Sequence, residues 1–287
     1  WPVCLASPLR DVYKRQGIPS VFSPMARTLN DLTYFTRSFI QMKPWTYDYS
    51  VHPLEWREDM ETEYREKKKL RIGVMRTDRV VDPSPACARA LDQTAKALAA
   101  EGHEVFDVEP PSPYEALQIA SQLLLSDGGD TFMAHFRTGE WNDLGAARMV
   151  SYMKLPRFVK YVHYLYVKYI KGDDIWAGLL QNWHPKSTTE YWQLAFKREA
   201  FKAKFFKWWA EEAKMDVMLT PPNATPAVPH GGMHDAVSSC GYTFLFNLVS
   251  FVFPQPSRYR ADIDTARLLR WYHTSNTCRC NQRRAPF

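Results

Sequence analysis

Two early segments of the chain differ in the spacing of their apolar residues. Thr28 stands three residues before Asp31, in the order of a capping box, so we expect a helix from about Leu29 to Ile40. The segment LRIGVMR at 70–76 has an apolar, partly β-branched centre between charged flanks. Such a pattern is typical of a buried strand.

The next segment predicts a crossover between two parallel strands. Ser84 and Pro85 are typical of a helix start, and Gly102 ends the apolar period before a second strand, HEVFDVE at 103–109. The predicted inner face of this helix carries Leu91, Ala95 and Leu98. A strand, a helix and a strand in this order favour a parallel sheet.

Two further helices and a third strand follow. Ser112 and Pro113 begin a helix that ends at the glycine pair 128–129. Ser187 and Glu190 form a second capping box before a long aromatic helix to about residue 214, and DVMLTP at 216–221 predicts a strand. The fold class is therefore α/β.

The positively charged residues behind the formal net charge of +6 are concentrated in two segments. Lysine and arginine are concentrated in residues 154–171 and arginine in the last 38 residues, so the balance does not indicate a nucleic-acid partner. In a helix over 157–171, Arg157, Lys160, Lys168 and Lys171 fall within about 80° of one another. The opposite arc carries Phe158, Val159, Val162, Leu165, Tyr166, Tyr169 and Ile170. Such a helix either packs on the protein core or lies on a membrane surface.

Five scattered cysteines favour a reducing compartment over a secreted disulfide framework. The first residues show no signal peptide, and the longest apolar run, 242–253, is too short to span a bilayer. We expect an intracellular protein, cytoplasmic or peripheral to a membrane.

Several short motifs resemble functional sites, but the residues around them do not support a catalytic or metal-binding role. The sequence His230-Gly231-Gly232 resembles an esterase oxyanion loop, but no G-x-S-x-G elbow follows it. His230 and His234 have the spacing of metal ligands, but the glycines between them disfavour the helix that this spacing needs. We expect no metal and no cofactor.

The two ends of the chain differ from its middle. Residues DVYKRQ at 11–16 back-translate to the mosaic end of a transposon sequencing adaptor, so we interpret 1–16 as a sequencing scar. Residues 250–287 contain seven arginines and no lysine, which indicates a frameshift or a read-through tail. The part of the chain that we interpret as a folded domain is then 17–249.

Six segments in order resemble the amidase signature family. They are SPMARTLNDL, the stretch from LRIGVMR to GHEV, SDGG, MKLPRFVKY, DVMLTPPNATPA and YTFLFNLV. Within that family, the chain is most similar to fatty acid amide hydrolases and fungal acetamidases. The resemblance implies part of an amidase fold, with a mixed sheet covered by helices on both faces.

The resemblance also implies a mechanism and its location. In the family a lysine takes a proton from a bridging cis-serine, which activates a nucleophilic serine. Those residues come from a glycine- and serine-rich segment that lies upstream of the SPMAR segment, and none of them can be placed in this chain. No glycine occurs between Ile18 and Ile72, so no oxyanion loop is expected beside Ser20 or Ser23.

The resemblance does place substrate-binding residues in this chain, for a small-molecule amide as the substrate. The positions that match a channel for an acyl group are Leu125, Met149, Leu179, Trp183 and Thr220. Each of these residue types is equally common in a protein core. The matching membrane-docking segment carries Arg157, Phe158, Lys160, Leu165, Lys168, Tyr169 and Lys171. The alternatives to a fragment of a serine amidohydrolase are a non-catalytic membrane-surface module and a pseudogene product; oligomeric state stays open.

Overall fold

The fold is described from a computed structural model. The structure describes residues 24–48, 55–67, 69–134, 144–229 and 241–249, together with positions 18, 51, 53 and 232. The chain divides into two compact units, residues 21–68 and residues 69–287 with 1–20.

In its described residues, the smaller unit contains two helices and a short 3-10 turn. Helix α1 spans Leu29–Gln41, the turn spans Pro44–Thr46, and helix α2 spans Glu58–Glu66. The Thr28 hydroxyl accepts the amide of Asp31 at 3.1 Å, which confirms the predicted start of α1. The two helices are joined by an ion pair between Arg37 and Glu61.

The larger unit is built on three parallel strands in the order β2-β1-β3. Strand β1 is Arg71–Val74, β2 is Glu104–Asp107 and β3 is Val217–Leu219. Helix α3, Pro85–Ala100, connects β1 to β2, with the Ser84 hydroxyl accepting the Cys87 amide at its start. The predicted parallel crossover is confirmed. All strands in the described ranges are parallel, so the mixed sheet expected from the resemblance is not seen there.

Helices cover both faces of this sheet, as predicted. On one face Val74 and Leu219 pack with Leu91 and Ala95 of α3. On the other face Met75 and Met218 join a larger core. Its helices are α4, Pro113–Leu124; α9, Thr188–Lys207, which continues as a π turn over Trp208–Ala213; and α10, Gly241–Val249. Alternation along each strand sends neighbouring side chains to opposite faces, so both faces need cover.

The capping predictions for the long helices are confirmed. The Ser112 hydroxyl accepts the amide of Glu115 at the start of α4. Ser187 and Glu190 form the full capping box of α9, because the Glu190 carboxylate also accepts the Ser187 amide at 2.7 Å. The Tyr242 hydroxyl in α10 donates to the carbonyl of Val81 at 3.0 Å, which ties this helix to the loop after β1.

A second helical layer lies between α4 and α9 along the chain. Its members are α5, Asp130–Met133; α6, Leu144–Met153; α7, Arg157–Leu165, which continues as a π turn over Tyr166–Ile170; and α8, Asp174–Leu180. Helix α8 packs against α4, α7 and the π turn that follows α7. Val167 and Leu180 of this layer belong to a separate apolar cluster that also includes Leu117 of α4. It positions the candidate site.

Candidate substrate cavity

A cavity of about 570 Å³ lies between α6, α7 with its π turn, and α8. Its apolar wall includes Met149, Val167, Leu180 and Trp183, and Arg148, Lys171 and Asp173 also line it. A concave, mainly apolar space of this volume with a few polar groups is typical of small-molecule sites.

Four of the five predicted substrate residues meet in one cluster. Leu125, Leu179 and Trp183 are buried in it, and Met149 packs against it. Met149 and Trp183 also line the cavity, whereas Leu125 and Leu179 belong to the packed cluster beside it. The structure therefore brings together side chains that are up to 58 positions apart in the sequence, between Leu125 and Trp183.

Thr220 lies elsewhere, directly after β3. Its side chain is buried, and its hydroxyl donates to the carbonyl of Pro221 at 3.4 Å. It is absent from both the cavity lining and the cluster among the described residues. Its role in substrate binding stays a prediction.

Three residues that line the cavity each carry a buried polar atom that the sequence analysis did not single out. The Tyr152 hydroxyl, the Nδ1 atom of His163 and the Nε1 atom of Trp183 are buried and have no hydrogen-bond partner in the described part of the chain. Burial raises the pKa of Tyr152 to about 12, so this hydroxyl is protonated at neutral pH. The only sequence signal was helical spacing, because Tyr152 follows Met149 by three residues on α6.

His163 is held in its neutral form by its surroundings. Its burial lowers its pKa, and the positive charges of Arg148 and Lys171 lower the pKa further. The rings of His163 and Tyr152 have centroids 5.6 Å apart, and those of Tyr152 and Trp183 are 6.1 Å apart. Tyr152 thus lies between His163 and Trp183 in one group of aromatic rings.

The helix predicted as a membrane-surface element turns much of its apolar arc outward. The Phe158 side chain is 76% exposed, Tyr169 is 72% exposed and Ile170 is 75% exposed. Arg157 and Lys171 are also exposed, while Leu165 and Lys168 are half-buried. The outward apolar arc is compatible with the membrane expectation, which stays a proposal.

One residue of the predicted basic face is placed differently, and this corrects the sequence analysis. Lys160 is 8% exposed, and its ammonium donates to the carbonyls of Met153 at 2.8 Å and Trp183 at 3.4 Å. These two carbonyls belong to the end of α6 and to the segment after α8, where the last carbonyls of a helix lack intrahelical donors. Lys160 therefore donates hydrogen bonds to carbonyls at the end of α6 and after α8 inside the protein. Its charge is not available to bind a membrane surface.

The described residues contain neither a membrane-spanning helix nor a metal-binding cluster. No helix within the described ranges is long and apolar enough to cross a membrane. No cluster of three metal-ligating side chains occurs among the residues that the structure describes. His230, Gly231 and His234 lie outside those residues, as do Ser20, Ser23 and all the cysteines except Cys87.

The sequence profile of the family described as Amidase matches residues 2–263. The chain belongs to the amidase family. This confirms the resemblance drawn from the six segments. The match runs past the boundaries predicted at residues 17 and 249, and those boundaries stay predictions.

Several curated relatives are similar to this chain over most of its length. Fatty-acid amide hydrolase 1 of Sus scrofa is 28% identical over 241 residues, which are 84% of this chain and 40% of the relative. Amidase 1 of Gibberella moniliformis is 28% identical over 83% of this chain and 40% of the relative. Acetamidase of Aspergillus oryzae is 25% identical over 83% of this chain and 39% of the relative. The chain thus spans about 40% of the length of the curated relatives it matches.

A solved structure supports the fold assignment. The chain superposes on a fatty acid amide hydrolase with a TM-score of 0.56 and 20% identity, over 82% of this chain and 36% of that one. At this identity the likeness concerns the fold. The α/β class predicted from the sequence is confirmed.

Proposed function

We propose that the protein to which this chain belongs hydrolyses the carbon–nitrogen bond of carboxylic amides, fatty acid amides included. The match of the amidase family over residues 2–263 is the observation that carries this proposal. The relatives named for fatty-acid amides and for acetamide support the substrate class. The apolar cavity beside Met149 and Trp183 has the volume for an acyl or aryl group.

The proposed mechanism is the one that the family resemblance implies. A lysine accepts a proton from a cis-serine, and that serine activates the nucleophilic serine. Backbone amides hold the oxyanion of the acylation step, and water then releases the acid. In our proposal those three residues come from a segment outside this chain. The chain itself supplies residues that bind the substrate, and the mechanism requires no metal or cofactor.

A direct chemical test separates this enzyme hypothesis from its alternatives. A fluorophosphonate probe labels a serine that a neighbouring base activates, so the 287-residue chain alone should show no labelling and no amide turnover. The genomic DNA upstream of the codon for Gly17 should encode a glycine- and serine-rich open frame. Expression of that longer frame should restore labelling. Stoichiometric labelling of the short chain, or an upstream frame without such a segment, contradicts the proposal.

A peripheral membrane contact is the second proposal, and the exposed apolar arc of α7 favours it. Phe158 and Tyr169 would enter the interface, with Arg157, Lys168 and Lys171 near the lipid headgroups and Leu165 beneath them. We place the protein inside the cell, in the cytoplasm or at the periphery of a membrane. If the longer frame is never labelled but liposome binding is strong, a non-catalytic membrane-surface module replaces the enzyme hypothesis. If neither occurs, a pseudogene product remains.

A further inference from the structure

A second, smaller pocket of about 260 Å³ lies between α7 and the end of α8. It adjoins the candidate substrate cavity, because Leu180 and Trp183 line both. Its remaining lining residues all have side chains that can donate a hydrogen bond, and they are Arg157, Lys160, Tyr161, Tyr164, Gln181 and His184. No carboxylate lines it in the described part of the chain, so we call it the basic pocket.

The cations at the basic pocket are not neutralised by acidic side chains. The Arg157 guanidinium contacts the Nδ1 atom of His184 at 3.4 Å. The Lys186 ammonium lies 3.1 Å from the Nε2 atom of His184 and donates to the carbonyl of Asn182 at 2.8 Å. Lys160 donates to two backbone carbonyls. Within the described ranges, none of these three cations forms an ion pair with a carboxylate.

The tautomer of His184 leaves Arg157 without a suitable acceptor. An ammonium group only donates, so Nε2 of His184 accepts from Lys186 and the proton of the ring lies on Nδ1. The Nδ1 group then donates to the carbonyl of Pro185 at 2.9 Å. The guanidinium of Arg157 therefore faces another donor, and an oxygen of a bound anion would give it an acceptor.

The charge of Arg157 also acts on two neighbouring lysines. Burial lowers the pKa of Lys160, and the Arg157 charge lowers it further. Burial lowers the pKa of Lys186 as well; Glu190 opposes this effect and Arg157 adds to it. Positive charges repel one another more strongly in a partly buried site, where water screens them less. A bound anion would relieve this repulsion.

The number of cations and donors favours a phosphate monoester over a carboxylate. A carboxylate brings one charge and two oxygens, whereas a phosphate monoester has a charge of about −1.5 to −2 and three terminal oxygens. Arg157, Tyr161 and Gln181 are exposed and His184 is half-buried, so a ligand can reach all four residues. The pocket is smaller than the usual range of about 300–1,000 Å³ for small-molecule sites, which suits a compact anion.

We propose that the basic pocket binds a phosphate monoester, with Arg157 as its main partner and Tyr161, Gln181 and His184 as further donors. This site goes beyond the proposed amide hydrolysis and does not depend on it. The phosphate can belong to a soluble molecule or to the headgroup of a lipid such as phosphatidic acid. Lys160 and Lys186 add positive potential from behind the site.

The first measurement uses soluble ligands and the complete 287-residue chain at constant ionic strength. Calorimetry and tryptophan fluorescence give the affinities for glycerol 3-phosphate, inorganic phosphate and acetate, since Trp183 lines the basic pocket. We expect both phosphates to bind about 10-fold or more tightly than acetate, because they engage more donors and more charge. The melting temperature should rise with the concentration of glycerol 3-phosphate.

Arg157→Gln tests the main partner, and Lys154→Gln is its matched control. Lys154 is exposed, follows the end of α6 and does not line the basic pocket. Arg157→Gln should weaken phosphate binding about 10- to 100-fold, the range for a hydrogen bond to a charged group, and the control should stay within about 2-fold. Arg157→Lys keeps the charge but not the forked donor pair, so its loss should be intermediate.

A second variant and the melting temperature guard against misfolding. Arg157→Gln should not lower the melting temperature of the ligand-free chain, because it removes repulsion with Lys160 and Lys186. Tyr161→Phe removes only a hydroxyl at an exposed position. It should weaken phosphate binding about 3-fold, as expected for one hydrogen bond.

Liposome flotation distinguishes the two sources of the phosphate. Phosphatidic acid and phosphatidylglycerol are both anionic, but only phosphatidic acid carries a phosphate monoester. A preference for phosphatidic acid that Arg157→Gln removes and Lys154→Gln keeps assigns the site to a lipid headgroup. Tight binding of glycerol 3-phosphate without this preference assigns it to a soluble phosphate.

Two results overturn the inference. In the first, the soluble phosphates bind no more tightly than acetate, and phosphatidic acid is not preferred over phosphatidylglycerol. In the second, Arg157→Gln and Lys154→Gln weaken phosphate binding equally, which would trace the binding to general charge. Neither result bears on amide hydrolysis, which fluorophosphonate labelling tests separately.

Discussion

The ammonium of Lys160 donates a hydrogen bond to the carbonyl oxygen of Met153, the last residue of α6, at 2.8 Å. The same ammonium lies 5.5 Å from the centre of the Tyr152 ring, which is one wall of the cavity. This lysine comes from a helix that is otherwise rich in exposed apolar side chains. It joins α7 to the end of α6 and to the segment after α8, and so it holds three sides of the cavity together.

The first prediction concerns the pH dependence of stability. Burial lowers the pKa of Lys160 from its ordinary value of 10.5, and the nearby Arg157 charge adds to this effect. Between the folded-state pKa and 10.5 the unfolded chain binds more protons than the folded chain, so this residue makes the free energy of unfolding rise with pH. Urea denaturation from pH 7 to 10 should show that rise for the wild type relative to Lys160→Met. Lys154→Met, at an exposed lysine, should follow the wild type.

The second prediction distinguishes Lys171 from Lys160 in a membrane-binding assay. Three exposed or half-exposed cations, Arg157, Lys168 and Lys171, contribute about 3 kcal/mol at an anionic surface, at roughly 1 kcal/mol each. Flotation of the chain with anionic liposomes should therefore weaken with added salt. Lys171→Met should weaken binding about 5-fold and flatten the salt dependence. Lys160→Met should leave the salt dependence unchanged, because that ammonium faces the protein interior.

The apolar contribution to the same binding has its own controls. Phe158→Asp combined with Tyr169→Asp should abolish flotation, whereas Trp192→Asp, at an exposed aromatic residue of α9, should not. Binding that survives the double change at α7, or that is lost equally with Trp192→Asp, would exclude this helix as the membrane contact.

The third prediction distinguishes a packed residue from a lining residue. Leu179 is 2% exposed inside the apolar cluster, so Leu179→Ala should lower the free energy of unfolding by about 2–5 kcal/mol. Met149 is partly buried and borders the cavity, so Met149→Ala should cost under about 2 kcal/mol and instead change the affinity for a medium-chain fatty acid amide such as decanamide. Equal stability losses for the two variants would place Met149 in the core. Chemical denaturation and calorimetry provide the two measurements.

The fourth prediction concerns a close approach between α10 and the loop after β1. The Asp78 side chain is fully buried; its Oδ1 atom accepts the amides of Val80 and Val81 at 2.9 Å each. Burial raises the pKa of this carboxyl. A Cβ atom on Gly241 would collide with the Oδ2 atom, so Gly241→Ala should destabilise the protein by about 1–3 kcal/mol.

A double-mutant cycle checks that this contact is the cause. In an Asp78→Ala background the space beside residue 241 opens, so most of the cost of Gly241→Ala should disappear. A cost that is the same in both backgrounds would trace the effect of Gly241→Ala to the helix start itself.

The sequence by itself determined three strands and several helices of the larger unit, and the family. Cap residues act over three or four positions, so Ser84, Ser112 and Ser187 indicated the starts of α3, α4 and α9 without any tertiary information. The patterns of apolar residues in three segments indicated β1, β2 and β3. The helix between β1 and β2 indicated that these two strands pair in parallel. The order of six segments identified the amidase family.

The tertiary structure decided which face of α7 turns inward and which residues line the cavity. Periodicity shows that Lys160 and Lys171 share a face, but the burial of that face depends on carbonyls at the ends of other helices. Trp183 joins Tyr152 and His163 only because α8 packs beside α7. Local periodicity carries no information on contacts between distant segments, so the cavity and its aromatic lining could be found only from the packed helices.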